Sequence, residues 1–194
     1  MLWVFVSAPA SANRTSALVA NRLTQEVRTA SRVSGAPADP YDTINDIIHR
    51  ALTRASMPSV LEPPGLSCTD GKRPNGLTLN PWQRGKSLTW DFTVTDTVAV
   101  SYLHPTSAKA DGAAENAATR KEEKYVDLQQ TYTFIPLAFE TLGPINVKGV
   151  KFLQELGHRL AAISDDNRQT SFLFQRISIT QQRFNAITFA DTFA

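Results

Sequence analysis

The chain has 194 residues, of which 42% are hydrophobic and 20% charged, and its formal net charge at pH 7 is +2. This length and composition are typical of one globular domain with an apolar core, and two full domains would be crowded. No stretch approaches the roughly 18 to 20 consecutive apolar residues that span a bilayer, so we expect a soluble protein with no membrane partner. Because the net charge is small, any nucleic-acid function must rest on local clusters of basic residues.

The N-terminal part of the chain is predicted to be an appendage. Apolar residues recur at roughly helical spacing over 13–33, which indicates a surface helix. The sequence SGAPADP follows and breaks this helix. We therefore divide the chain into an appendage or linker at 1–37 and a main domain at 38–194.

Targeting and redox signals are weak. The apolar part of the N-terminus covers only Leu2 to Val6 with no Lys or Arg before it, whereas a secretory signal has an apolar region of about 7 to 15 residues. We therefore expect that the chain is not secreted. The single cysteine, Cys68, excludes an internal disulfide, and the three histidines lie too far from it for a zinc site.

The main domain begins with a well-patterned helix and continues into turns. Apolar residues over 44–52 follow the i, i+3, i+4 spacing of a helix, and Asp42 or Thr43 is positioned to cap it. The Pro- and Gly-rich sequence MPSVLEPPGLSCTDGKRPNG follows and predicts turns, with one short extended piece at 59–61.

A strand, a helix and a second strand are predicted next. Apolar and polar residues alternate over 88–95, which predicts a strand with Asp91 on the face opposite the apolar side chains. The Ala-, Glu- and Lys-rich segment at 108–130 predicts a long helix. A second strand is predicted at 132–139, and Pro136 should make it bulged or peripheral.

The chain ends with two more predicted helices, at 150–163 and 170–187. The element order is therefore helix, strands, helix, strand, helix, helix, without an internal repeat. This order predicts an α/β layered domain with one small mixed sheet.

Asp91 is the candidate centre of any chemistry. Nucleases that cleave with Mg²⁺ need oxygen ligands that converge on a hard cation, together with a lysine that stabilises developing charge or orients the attacking water. Asp91 can supply one ligand because it lies on the polar face of its strand. The alternative is that Asp91 faces solvent or pairs with a neighbouring lysine.

Basic residues flank Asp91 in the sequence. Four of them precede it with no acidic residue in between: Lys72, Arg73, Arg84 and Lys86. This segment should attract phosphate. Lys121 and Lys124 lie three residues apart in the predicted helix that follows, so they share a face that can reach an adjacent strand. Both patterns are also typical of ordinary solvated surfaces.

Four short motifs carry a resemblance to a known family: RPNGLTL, LTWDFTV, KEEKY and IPLAFETLG. In this order they resemble the restriction-endonuclease-like domain at the C-terminal end of site-specific non-LTR retrotransposon polyproteins, downstream of a reverse transcriptase. The similarity runs from about Tyr41 to the C-terminus. Each motif alone is weak, and the ordered combination is what is specific.

The resemblance implies a fold, an activity and partners. The fold would be the small mixed sheet flanked by helices that is found in PD-(D/E)XK nucleases. The activity would be cleavage of DNA with Mg²⁺ or Mn²⁺, and the partners would be DNA and the reverse transcriptase module of the parent element. A nuclear or cytoplasmic location would follow.

The resemblance also implies site residues. The residue after Pro74 and the strand acid Asp91 would be metal ligands, while Lys121 and Lys124, followed by Tyr125, would supply the catalytic lysines. Glu62 occupies a place where related nucleases can have an additional acid, and the alternative is an ordinary loop glutamate.

The main departure from the family lies at position 75. Asn75 stands where the family has Asp, and an amide is a neutral and poorer ligand for Mg²⁺ than a carboxylate. Tyr41 also replaces a family-like histidine. The resemblance therefore predicts a weakened or inactive endonuclease, with a non-catalytic DNA-binding or structural remnant as the alternative. Asn75 and Gly76 also form a favoured type I′ hairpin dipeptide, so RPNGLTL could instead contain a turn.

Overall fold

A four-stranded mixed sheet with helices on both faces forms the part of the chain that the computed structural model describes, residues 40–66, 73–95 and 111–192. Its elements in chain order are α1 (Pro40–Arg54), β1 (Ser59–Leu61), β2 (Gly76–Gln83), β3 (Lys86–Thr95), α2 (Gly112–Lys124), α3 (Leu128–Thr131), β4 (Thr133–Glu140), α4 (Val147–Ser164) and α5 (Gln169–Thr192). The predicted appendage and its helix, together with Cys68 and Lys72, lie outside the described residues.

The sheet order is β1-β2-β3-β4. Strands β1, β2 and β3 are antiparallel neighbours, whereas β4 is parallel to β3. A parallel pair needs a crossover connection rather than a tight turn, and α2 lies in that connection. The predicted α/β class and mixed sheet are confirmed.

Strands β2 and β3 form a hairpin whose turn is Arg84–Gly85. Both turn residues have positive φ, 49° and 74°, as the two central residues of a type I′ turn require. The alternative hairpin turn at Asn75–Gly76 is therefore wrong, because Gly76 begins β2 and pairs with Trp90.

Strand β2 has no counterpart among the predicted elements because its alternation is interrupted. Its register shifts between Leu77 and Pro81. The hydroxyl of Thr78 satisfies the backbone there, since it accepts a hydrogen bond from Leu88 N at 2.9 Å and donates one to Asn80 O at 2.8 Å. A side chain thus replaces ladder bonds at this irregularity.

The main apolar core lies on one face of the sheet, between the sheet and the helices α1, α4 and α5. Its larger members include Ile44, Ile48, Leu52, Leu88, Trp90, Phe92, Leu137, Phe139, Leu153, Leu156 and Ile177. Trp90 is completely buried, and its indole Nε1 donates to Asn45 Oδ1 at 2.7 Å. This bond satisfies the one polar atom of the largest core side chain.

Helix α2 covers the opposite face of the sheet. Its buried residues are all alanine, Ala113, Ala114, Ala117 and Ala118, and three of them pack with Ala138 of β4 in a separate small cluster. Small side chains let the helix backbone lie close to the sheet. As a result the polar face of β3 is covered as well, and Asp91, for which the sequence left solvent exposure, pairing with a lysine and metal binding open, is only 5% exposed.

Several boundaries differ from the sequence predictions. The capping role expected of Asp42 or Thr43 is wrong because α1 begins at Pro40, a residue type favoured in the first helical turn. The long helix expected over 108–130 is divided into α2 and the one-turn α3; its first residues, 108–110, lie outside the described part of the chain.

Other predictions are confirmed. The extended piece at 59–61 is β1, and the last two helices are α4 and α5, each a few residues longer than expected. Pro136 is peripheral because β4 is an edge strand of the sheet that the described residues form, but there is no bulge, since pairing with β3 runs continuously through Asp91 and Pro136. None of the helices in the described ranges has the length and apolar character that crossing a bilayer requires.

Gly76→Ala is expected to destabilise the domain. A Cβ at this position would lie 2.1 Å from Cζ2 of the Trp90 ring, and overpacking of this kind costs about 1 to 3 kcal/mol in the free energy of unfolding. Urea unfolding of the native chain, Gly76→Ala, Trp90→Phe and the double variant measures this cost. Gly76→Ala should cost less in the chain that already carries Trp90→Phe, because that chain lacks the indole ring; equal costs in both backgrounds would contradict the packing.

Candidate functional site

Asp91 and Lys121 form an ion pair between the sheet and α2. Lys121 Nζ lies 2.6 Å from Asp91 Oδ2, although the two residues are 30 positions apart. The Asp91 side chain is 6% exposed and that of Lys121 is 26% exposed. The Asp91 side chain is thus almost enclosed, while the Lys121 side chain is partly exposed.

A second buried carboxylate, Glu140 at the end of β4, holds the beginning of α2. Glu140 is completely buried, and its Oε1 accepts hydrogen bonds from the backbone N–H groups of Ala113 and Ala114, each at 3.0 Å. The first N–H groups of a helix have no partner within the helix and carry partial positive charge. Glu140 therefore satisfies two of them and fixes the start of α2 against the sheet.

The position of Lys121 follows from this anchor. Asp91 lies opposite Pro136 in the β3–β4 register, four residues or about 13 Å back along β4 from Glu140. From Ala114, α2 takes seven residues, about 11 Å, to reach Lys121. Helix α2 and strand β4 run in opposite directions, and these two distances are nearly equal. Lys121 therefore lies over Asp91.

Asn75 lies beside Asp91, immediately before the neighbouring strand β2. Since Gly76 pairs with Trp90, the residue immediately before β2 falls next to Asp91. Its Oδ1 accepts a hydrogen bond from Phe92 N at 2.5 Å, and its backbone carbonyl accepts one from Glu62 N at 3.0 Å. Asn75 is therefore fixed at the candidate site, with its amide oxygen bonded to the backbone of β3.

Glu62 has a different environment. It is exposed and has a left-handed φ of 46°. With Leu61 it lines a cleft whose other residues, Asp42, Asn45 and Asp46, belong to α1. Helix α1 packs on the core face of the sheet. Glu62 is therefore joined to the candidate site through its backbone bond to Asn75, and it also lines a cleft with α1.

Lys124 and Tyr125 end α2. Lys124 Nζ lies 4.9 Å from the centroid of the Tyr125 ring. Tyr125 is buried and packs on Phe134, with ring centroids 4.8 Å apart. Of the two candidate lysines, Lys121 contacts Asp91, and Lys124 stands nearly one turn further along the same helix.

The hairpin separates the basic residues that are clustered in the sequence. Arg73 is exposed two residues before Asn75, near Asp91, whereas Arg84 is exposed in the turn at the other end of the hairpin. Lys86 lies five residues from Asp91, about 17 Å along β3. Its Nζ donates to the carbonyls of Gln129 and Gln130, at 3.2 and 2.7 Å. Only Arg73 among these described residues lies at the Asp91 end.

Two residues of the site, Glu140 and Thr89, were not among those singled out from the sequence. Glu140 is part of the motif IPLAFETLG, but its bond to α2 depends on a helix 27 residues earlier. Thr89 lies two residues before Asp91 on the same face of β3; it is fully buried, and within the described residues its hydroxyl has no hydrogen-bond partner. Neither role has a signal in local spacing.

The donor set at Asp91 restricts the metal ions that it could hold. Within the described residues, no group of three or more His, Cys, Asp and Glu could hold a metal ion. Asp91 supplies one carboxylate, and the neutral oxygen-bearing side chains next to it are Asn75 and, two residues to either side on the same face of β3, Thr89 and Thr93. This set fits Mg²⁺, which keeps several waters and is commonly bound by one or two carboxylates together with substrate phosphate.

No protein-family model matches this chain, and no curated protein matches it. The functional interpretation therefore rests on the motifs and on the geometry around Asp91.

The Asp91–Lys121 pair is expected to be strongly coupled in stability. Lys121→Met keeps the aliphatic stem but leaves the buried carboxylate without its cation, and should lower the free energy of unfolding by about 1 to 3 kcal/mol. This is less than the roughly 3 to 5 kcal/mol of fully buried pairs because Lys121 is partly exposed. Chemical denaturation of Lys121→Met, Asp91→Asn and the double variant measures the coupling.

The double variant should recover much of the loss because neither charge remains. Lys124→Met, nearly one turn away on the same helix, is the control and should cost about 0.5 to 1 kcal/mol at most. Additive losses in the double variant would contradict the pairing.

Proposed function

We propose that this chain is a metal-dependent DNA endonuclease domain of the restriction-endonuclease-like type associated with retrotransposon reverse transcriptases, weakened by Asn75. The observation that carries the proposal is the 2.6 Å contact between Lys121 Nζ and Asp91 Oδ2. The resemblance assigns these two residues to one catalytic centre, and they lie in contact despite their separation in the sequence.

Asp91 would hold the metal ion through Oδ1, because Lys121 contacts Oδ2. The ion, Mg²⁺ or Mn²⁺, would polarise the phosphodiester and lower the pKa of a bound water. Lys121 would move its ammonium from the carboxylate towards the scissile phosphate and stabilise the negative charge that develops there. Its partial exposure permits this movement without unfolding α2.

The surroundings of Asp91 favour an anionic substrate. Arg73 is exposed at the same end of the hairpin, and Lys124 lies nearly one turn beyond Lys121. These cations would contact phosphates on either side of the scissile bond and position the DNA without reading its sequence. Arg84 and Lys86 lie too far along the hairpin to contact that phosphate and would bind DNA only at a distance from the cut.

Asn75 limits the activity in this proposal. A family member with Asp at this position would present two carboxylates to the metal, whereas this chain presents one. Because Asn75 Oδ1 accepts a hydrogen bond from Phe92 N, a carboxylate at the same position could keep that bond with one oxygen and turn the other towards the metal. Restoring the acid is therefore compatible with the fold.

The second candidate function is a non-catalytic DNA-binding or structural remnant. Two observations favour it: the charges of Asp91 and Lys121 neutralise each other, and the amide oxygen of Asn75 is bonded to the backbone. In this case the ion pair holds α2 on the sheet, and the remaining exposed basic residues bind DNA.

Nicking of supercoiled plasmid in Mg²⁺ or Mn²⁺ tests the proposal. We expect slow nicking by the native chain, a loss of at least about 100-fold in Asp91→Ala and Lys121→Ala, and a gain of about tenfold in Asn75→Asp because a second carboxylate strengthens metal binding. Lys151→Ala, which removes an exposed lysine of α4, is the matched control and should nick at the native rate.

Absence of nicking by both the native chain and Asn75→Asp would rule out the endonuclease. Gel-shift titrations over a series of salt concentrations then distinguish a DNA-binding remnant from a purely structural one. Binding that weakens steeply with salt would support the DNA-binding remnant, and no binding at low salt would leave a structural role.

A further inference from the structure

Thr89 is a buried polar residue that packing alone does not explain. It lies on the same face of β3 as Asp91, because side chains two residues apart point to the same side of a sheet. It is 0% exposed, and its Oγ1 has no hydrogen-bond partner within the described residues. A buried hydroxyl in this state destabilises the fold, whereas valine would fill nearly the same space without that cost.

The other buried threonines of the described sheet use their hydroxyls. Thr78 bonds to Leu88 N and Asn80 O at the irregularity in β2, and Thr95 donates to Phe139 O at 3.2 Å. Thr89 differs from both. Its hydroxyl contributes nothing to the backbone network of the sheet, which points to a role towards a ligand.

The position of Thr89 indicates that this ligand would bind beside Asp91. In the register of β3 and β4, Thr89 lies opposite Phe134, the residue on which the Tyr125 ring packs. Lys121 lies one helical turn before Tyr125 and covers Asp91. The Thr89 hydroxyl is therefore enclosed in the same layer between β3 and α2 as the Asp91 carboxylate.

We propose that Thr89 Oγ1 is the second protein oxygen of a Mg²⁺ or Mn²⁺ site centred on Asp91, in place of the acid that position 75 lacks. This inference rests on the proposed function. Threonine and serine hydroxyls bind Mg²⁺ beside phosphates in nucleotide-binding proteins. Residues two apart on a strand are about 6.6 Å from each other, and modest tilts of both side chains bring their oxygens within the roughly 4 Å that spans opposite ligands of Mg²⁺.

The inference assigns different tasks to Asn75 and Thr89. Asn75 Oδ1 is bonded to Phe92 N and holds β2 and β3 together beside the carboxylate. Thr89 supplies the oxygen that the cation contacts. The site then consists of one carboxylate, one hydroxyl, water and substrate phosphate, a set of hard oxygen ligands that suits Mg²⁺ or Mn²⁺ and disfavours softer metals.

Thr89→Val and Thr89→Ser test this on the whole chain, by thermal unfolding in EDTA and over a Mn²⁺ titration, in both cases with a short DNA duplex present to supply the phosphate ligand. In EDTA, Thr89→Val should melt at the native temperature or above it, because the substitution removes a buried hydroxyl without a partner. Its apparent Mn²⁺ affinity, taken from the rise in Tm with Mn²⁺, should fall at least about tenfold. Thr89→Ser keeps the hydroxyl and should keep the Mn²⁺-dependent rise.

Thr95→Val is the matched control, since Thr95 is buried on the same face of the same strand and its hydroxyl bonds to Phe139 O. It should lower Tm in EDTA and leave the Mn²⁺ affinity unchanged. If the native chain responds to Mn²⁺ and Thr89→Val responds equally, Thr89 is not a ligand, and the proposed function stands without it. If the native chain shows no Mn²⁺-dependent rise, the metal-dependent function fails, and the assignment of Thr89 fails with it.

Discussion

The ion pair between Asp91 and Lys121 is the contact on which the arrangement of this domain depends. A carboxylate that is almost completely covered is stable only with a close opposite charge or strong hydrogen-bond donors, and Lys121 supplies the charge. Helix α2 therefore has to lie where the ammonium group of Lys121 reaches Asp91 on β3. Glu140 fixes the other end of the helix, because its buried carboxylate accepts hydrogen bonds from two backbone N–H groups of the first turn. Two buried acids thus hold a helix whose buried side chains are all alanine.

This way of closing a sheet is unusual enough to bear on function. A buried ion pair generally adds little stability compared with apolar residues of similar size. The other face of this same sheet shows the ordinary solution, a core of Leu, Ile, Phe and Trp side chains. The use of an acid and a lysine at the centre of the second face favours a chemical role for them, and the buried hydroxyl of Thr89 on the same strand adds to that argument.

Local patterns predict the elements that follow a regular period. Strand β3 alternates cleanly, and the helices of the C-terminal half have helical spacing, so both are found from the sequence. Strand β2 is not, because Pro81 and the register shift that Thr78 bridges interrupt its alternation. The division between α2 and α3 also has no compositional signal. In these cases tertiary pairing, rather than local preference, decides the structure.

The candidate site could likewise be predicted from the sequence only in part. The spacing of Lys121 and Lys124 predicts a shared helical face, but their different partners follow only from the height of α2 along β4, which Glu140 sets. Arg73, Arg84 and Lys86 are one cluster in the sequence, and the hairpin separates them because its turn is at Arg84. Thr89 and Glu140 could not be selected from the sequence, because burial of a polar side chain depends on what packs over it.

Anomalous scattering from Mn²⁺ in crystals of this chain grown with duplex DNA tests the central assignment most directly. The Asp91 centre predicts a manganese peak within about 2.5 Å of the Asp91 carboxylate, with a DNA phosphate at the same ion and Lys121 turned towards that phosphate. DNA bound with no manganese at Asp91 and with the Asp91–Lys121 pair intact would contradict it and identify the pair as a purely structural contact.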